Sequence, residues 1–139
     1  MSMPFSAKGN EVLETAQKEA LRFNHDYVGT EHVLMAFCKT PGDGGGAAMI
    51  LARNIKPEEI IAAIEKMIRP SPPDPGLAIM KLPLTARTLA ILDNAAEAAR
   101  ADGTQEIGVG HILLGILQEG ESLAAQVLAG FGLRRAATA

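Results

Sequence analysis

The sequence predicts an all-α protein in which two pseudo-symmetric helical repeats pack as one domain, and three observations carry that reading. The octapeptide Tyr27-Val28-Gly29-Thr30-Glu31-His32-Val33-Leu34 returns in weaker form as Glu106-Ile107-Gly108-Val109-Gly110-His111-Ile112-Leu113. Setting Gly29 on Gly108, an offset of 79 (108 − 29), pairs without a gap Ala7 with Ala86, Leu13 with Leu92, Ala16 with Ala95, Ala20 with Ala99 and His32 with His111. Apolar residues fall mostly at helical spacing, which leaves Gly76 to Pro83 as the only stretch for an extended segment. Self-similarity of this length marks a supersecondary unit used twice, and each half alone is too small to cover its own apolar stripe.

Taken in order, Ser6 is placed to cap a helix from about Ala7 to Phe23, with Val12, Leu13, Ala16 and Ala20 on one face. Asn24-His25-Asp26 ends it. Gly29 turns the chain and Thr30 is expected to cap a second helix reaching about Lys39, with Glu31 in the first turn where the helix dipole favours an anion. Thr40 to Gly46 is a loop whose glycine run reads as a flexible connection, since no lysine follows at phosphate-loop spacing. A short helix from Ala47 to Arg53 precedes a fourth, opened by Pro57, whose Ile60, Ile61, Ile64, Met67 and Ile68 form one stripe. The proline-rich segment 69–83 separates repeat 1 (residues 5–68) from repeat 2 (84–133). The second copy runs as a helix from Thr85 to about Asp102 with Leu89, Leu92, Ala95, Ala96 and Ala99 expected inward, then as a helix from Val109 to about Gln118. Its Ala124-Ala125-Gln126-Val127-Leu128 matches Ala47-Ala48-Met49-Ile50-Leu51 at an offset of 77 (124 − 47), and a counterpart of the fourth helix is missing.

With 139 residues, 47% of them apolar and 21% charged, the chain has the composition of a soluble globular domain, and a formal charge of −3 argues against a phosphate-backbone binder. No run reaches the roughly 18 apolar residues of a membrane helix, and no signal pattern opens the chain, so a cytoplasmic location is the expectation. Cys38 is the only cysteine. A disulfide within the chain and a cysteine-rich metal site are thereby excluded, and Cys38 reads as a small buried hydrophobe. His32 and His111 each follow a glycine turn among apolar neighbours, which favours a buried histidine tying two helices or a loop carbonyl over a ligand or base. Neither a catalytic set nor a cofactor or metal site is expected.

The motif segments Val28 to Leu34 and Ile107 to Leu113, the Phe5-Ser6 and Leu84-Thr85 starts and the later Ala-Ala-x-x-Leu segments resemble the Clp N-terminal domain, the double helical repeat at the front of Clp-type ring unfoldases. The resemblance spans about Phe5 to Leu133. It implies a non-enzymatic module that docks protein substrates or adaptors for a Clp unfoldase and protease, with Clp ATPase or protease subunits as further partners and with neither nucleic acid nor membrane. Similar domains of the Gram-positive type recognise arginine-phosphorylated substrates, and by that likeness Ser6, Thr30 and Glu31 are the expected ligand residues, with Gly29, His32, Gly108 and His111 as structural motif. Helix-start N–H groups suit a phosphate and a carboxylate suits a guanidinium, so the chemistry is coherent. The second copy departs from the pattern: Val109-Gly110 stands where the family has Thr-Glu, and the family's final helix is absent. No Gly-x-x-x-x-Gly-Lys-Ser/Thr occurs, so no ATPase is expected in this chain. The competing expectations are a regulatory scaffold of the same fold without a Clp partner and a small hydrolase using His32.

Overall fold

The computed structural model describes residues 3–42 and 44–134. Seven α-helices are formed there: α1 (Ala7–Arg22), α2 (Thr30–Lys39), α3 (Gly46–Leu51), α4 (Pro57–Met67), α5 (Ala86–Ala101), α6 (Val109–Glu119) and α7 (Leu123–Gly130). The start of each long first helix is set by a hydroxyl cap. Ser6 Oγ accepts from Gly9 N at 3.0 Å, and Thr85 Oγ1 accepts from Thr88 N at 3.1 Å. Both relieve an orphan N–H of the first turn. The core is shared by the two halves and is filled by Leu34, Met35, Phe37, Ile50, Ile60, Ile64, Ile91, Ile112, Ile116 and Leu128, all essentially inaccessible to solvent. No described helix is long and apolar enough to cross a membrane; α6 and α7 together would be, but they meet at 94°.

Five expectations need correction, one of them the buried stripe of α4, where Ile60 and Ile64 are fully buried but Met67 is 55% exposed. The segment expected to be extended holds a 3-10 helix at Pro75–Ile79, because Asp74 accepts from Gly76 N and Pro75 has the fixed φ that suits a first helical position. The buried face of α5 is Thr88, Ile91, Ala95 and Ala99, while Leu89 is 50% exposed and Leu92 and Ala96 are only half-buried. Thr88 sits inside because its hydroxyl donates to Val28 O at 3.1 Å, so its polar atom is satisfied. The repeat offset already pairs Ile91 with Val12, which is the correct face of α1. Fourthly, Gly29 rather than Thr30 is the N-cap of α2, with Thr30 as its first helical residue. Finally, α3 begins one residue early, at Gly46, and ends at Leu51.

Glu19, expected nowhere in the core, is 5% exposed on the inner side of α1. Lys39 of α2 and Arg22 each approach its carboxylate at 2.9 Å. Burial pushes the carboxyl up, but the two cations outweigh this and hold it below the ordinary carboxylate range.

The residues preceding α1 and α5 are exchanged between the halves. Ser6 N donates to Ile107 O (2.9 Å) and Ile107 N to Pro4 O (2.8 Å), while Val28 N donates to Pro83 O (2.8 Å) and Thr85 N to Val28 O (3.1 Å). Each forms an isolated parallel bridge, Phe5 with Ile107 and Val28 with Leu84. The cap of each first helix is therefore placed beside the motif of the opposite repeat.

Candidate functional site

That crossing decides which motif residues share a site. Gly29, Thr30 and Glu31 border an open cleft of about 410 Å³ together with Tyr27, Thr85, Arg87 and Leu123. Ser6 is not among them; it lies against Ile107, at the start of the other motif. Three helix starts meet at the cleft: those of α2, α5 and α7. First-turn N–H groups lack intrahelical partners, and the dipoles of all three helices place positive potential there. No feature of the single sequence links Thr85, Arg87 or Leu123 to Glu31, although the 79-residue offset, by pairing Thr85 with Ser6, could have raised the exchange as an option.

Thr30 is 5% exposed, and its hydroxyl accepts from Ala124 N of α7 at 3.4 Å. It joins the first motif to the second repeat and has little surface to offer a ligand. Glu31 lies half-buried and folds back over Gly29, so close that its Oε1 would stand 2.3 Å from a Cβ added at that glycine. Burial, then the charge of Glu31, raises the Tyr27 phenol above its usual value. Arg87, 56% exposed, pairs with Glu119 at 2.6 Å and supplies a cation on the rim. Glu119 also accepts from Ser122 N at 2.7 Å and Glu121 N at 3.1 Å; burial raises its carboxyl, and these bonds together lower it further than burial lifts it.

Behind the cleft runs a chain of hydrogen bonds whose direction is fixed at both ends. Gly29 N–H donates to His32 Nδ1 (2.8 Å), His32 Nε2 meets His25 Nδ1 (2.8 Å), and His25 Nε2 meets Arg69 O (2.8 Å). An amide N–H can only donate and a carbonyl can only accept, so both rings are neutral Nε2–H tautomers. Burial, with His25 adding to it, lowers His32 to about 4. His25 stacks between Phe23 and Tyr27, with ring centroids 5.8 and 5.2 Å away. His25 had no expected role, and only its position seven residues before His32 could have suggested one.

In the second repeat Gly108 N–H donates to His111 Nδ1 at 2.9 Å, but His111 Nε2 meets the half-exposed Asp102 at 2.6 Å instead of another histidine. Gly110 leaves no carboxylate opposite Ser6. Among the described residues no cluster of three or more His, Cys, Asp or Glu is placed to hold a metal.

A family model described as the Clp repeat N-terminal domain matches residues 4–131. The chain belongs to that family. Curated relatives include the chloroplastic ClpA homolog of the ATP-dependent Clp protease ATP-binding subunit from Brassica napus and chloroplastic chaperone protein ClpC1 from Oryza sativa subsp. japonica, each 35% identical over 128 residues, 92% of this chain. The chain spans only 14% of the length of either. Among solved structures, the N-terminal domain of ClpD from Arabidopsis thaliana superposes with a TM-score of 0.72 at 22% identity, covering 94% of this chain and 88% of that one. The N-domain of ClpV from Vibrio cholerae gives 0.75 at 18% identity over 92% and 75%. These likenesses establish the Clp N-domain fold.

Within this fold Cys38 is 3% exposed, and burial pushes its thiol up to about 12. A thiolate is the reactive form, so the native protein is expected to resist a disulfide-exchange reagent at pH 8 and to react at the rate at which it unfolds. Complete labelling within seconds under native conditions would contradict the burial.

Proposed function

We propose that this Clp N-domain is a non-enzymatic protein-docking module, presenting substrates or adaptors to a Clp unfoldase, and that the cleft of the first motif reads phosphorylated arginine. The observation that carries the finer reading is the convergence of three helix starts beside the Glu31 carboxylate. In this arrangement Glu31 accepts from the guanidinium, while first-turn N–H groups of α2 and α5 and the Arg87 cation hold the phosphate. The recognising set is then Glu31, Thr85 and Arg87; Thr30 acts through the backbone, the Gly29 N–H is already given to His32 Nδ1, and Ser6 belongs to the opposite side. The second motif, with Gly110 in place of a carboxylate, is the weaker partner. A hydrolase based on His32 is disfavoured, because both ring nitrogens are engaged and the ring is inaccessible.

Titration with free phosphoarginine, followed by backbone NMR, should shift Gly29 to Glu31 and Thr85 to Arg87 and leave Ser6 and Gly108 to Gly110 in place. Glu31→Ala should weaken binding by about 1.5–3 kcal/mol, the worth of a hydrogen bond to a charged group. Equal shifts at Gly108 to Gly110 would mean that the carboxylate does not decide binding, and a flat titration at millimolar ligand would remove phosphoarginine from the reading. Co-purification of a Clp ATPase subunit separates the docking module from a scaffold without that partner.

A further inference from the structure

The cation at the rim of the cleft is fixed in place by a residue outside it. Arg87 Nη1 donates to Glu119 Oε2 at 2.6 Å and lies 3.8 Å from Glu121 Oε2, while Nε and Nη2 have no partner among the described residues. A guanidinium carries five N–H donors in one plane, so a tie at Nη1 leaves the edge formed by Nε and Nη2 for an anion held through two hydrogen bonds. The anchor is itself immobile. The Glu119 side chain is 9% exposed, and its other oxygen, Oε1, accepts from Ser122 N at 2.7 Å and Glu121 N at 3.1 Å. Ser122 is the N-cap of α7, and the two residues after it return to the cleft: Leu123 lines it, and Ala124 N donates to Thr30 Oγ1. Glu119 therefore joins the rim cation to the same turn that fixes the cleft wall.

The repeat supplies an independent instance of this tie. At the 79-residue offset Arg87 corresponds to Lys8 (87 − 79), which follows the Ser6 cap by two residues as Arg87 follows the Thr85 cap. Lys8 Nζ donates to Pro41 O at 2.9 Å, and Pro41 follows Thr40, the counterpart of Glu119 (119 − 79). In both halves the basic residue of the first turn is thus tied to the chain leaving the motif helix. Repeat 2 makes the tie between a carboxylate and a planar guanidinium, on the rim of the cleft that holds Glu31.

We propose that Glu119 is a positioning residue of this cleft: it holds one edge of the Arg87 guanidinium so that the other meets the phosphate, and it thereby sets the preference for phosphorylated over unmodified arginine. This rests on the phosphoarginine reading of the cleft. The Glu119 carboxylate also offsets part of the Arg87 charge, but Arg87 is 56% exposed and solvent screens that effect. Ordering a long, rotamer-rich side chain at the moment of binding costs more, and the tie to Glu119 removes that cost in advance.

The probes are phosphoarginine and arginine, titrated into the isotopically labelled full chain and followed by NMR. Glu119→Gln keeps a carbonyl oxygen for Ser122 N and Glu121 N but removes the charge that holds Arg87. It should weaken phosphoarginine binding about three- to tenfold, the worth of one side chain ordered beforehand, and leave arginine binding unchanged. In an Arg87→Ala background the same substitution should have no further effect on phosphoarginine, because the two residues act as a unit. Arg87→Lys, with one nitrogen to serve both partners, should lose as much as Arg87→Ala, and it tests the proposal even where Glu119→Gln fails to fold. Without ligand, nitrogen relaxation should find the Arg87 Nε–H ordered in the native protein and mobile in Glu119→Gln. Equal losses for both ligands would assign Glu119 to the start of α7 alone, tighter phosphoarginine binding would make it a competitor of the phosphate, and additive losses with Arg87→Ala would uncouple the pair. Each of these overturns the proposal, as does native affinity in Arg87→Lys or a mobile Arg87 Nε–H in the native protein. A native protein that ignores phosphoarginine refutes the reading of the cleft itself and this proposal with it, an outcome seen before any variant is compared.

Discussion

Replacing His32 by alanine is expected to lower the unfolding free energy by about 3 kcal/mol at pH 7, measured by urea denaturation. The substitution strands two buried polar groups, the Gly29 N–H and His25 Nδ1, each costing about 1–3 kcal/mol when unpaired, and leaves a void beside Tyr27. The same histidine predicts acid lability. Its folded value of about 4 lies below the ordinary 6.5, so between these pH values the unfolded chain binds a proton that the native state refuses. Stability therefore falls as pH drops from 6.5 towards 4, by about 3 kcal/mol for a gap of this size, and this contribution levels off below 4. Glu19 acts in the same direction at lower pH: its carboxyl is held below the usual range, and the stability it contributes is lost as the medium acidifies through its folded value. Equal urea midpoints at pH 7 and pH 4.5 would rule out the neutral, buried histidine. In His32→Ala the His32 part of the slope between 6.5 and 4 should vanish.

Gly115→Ala is expected to destabilise by about 3 kcal/mol, although alanine is the better helix former. The reason is the closeness of α5 and α6: a Cβ on Gly115 would stand 2.3 Å from Ile91 O and 3.1 Å from Ala95 N, both backbone atoms that cannot rotate aside. The helices must part, and Ile91, Ile112 and Ile116 lose contacts with them. A thermal midpoint unchanged or raised by Gly115→Ala would show that the interface yields without cost. By contrast, Gly130→Ala meets no heavy atom within 4 Å, and its φ does not lie in the left-handed range, so it serves as the control.

Much of this molecule can be read along the chain because its information is local. Ser6 and Thr85 precede Ala-rich helices at capping distance, the glycine-histidine spacing of three recurs at 79 residues, and Pro57 opens α4; each signal acts within one or two helical turns. The helices and their doubling follow from residues already adjacent in sequence. The burial of Glu19 does not, because it depends on Lys39 arriving from another helix. Nor does the pairing of His32 with His25 and of His25 with the Arg69 carbonyl, 44 residues away. The candidate site shows the difference most clearly. The sequence alone determined that Glu31 stands at a helix start and that Gly110 is its counterpart, since periodicity and the repeat are enough for both. Only the tertiary structure decided that Thr85 and Arg87, rather than Ser6, stand beside Glu31. That choice is made by single backbone bridges between segments far apart in the chain, and such bridges use N–H and C=O groups that every residue here but proline carries alike, so they leave no mark on side-chain pattern.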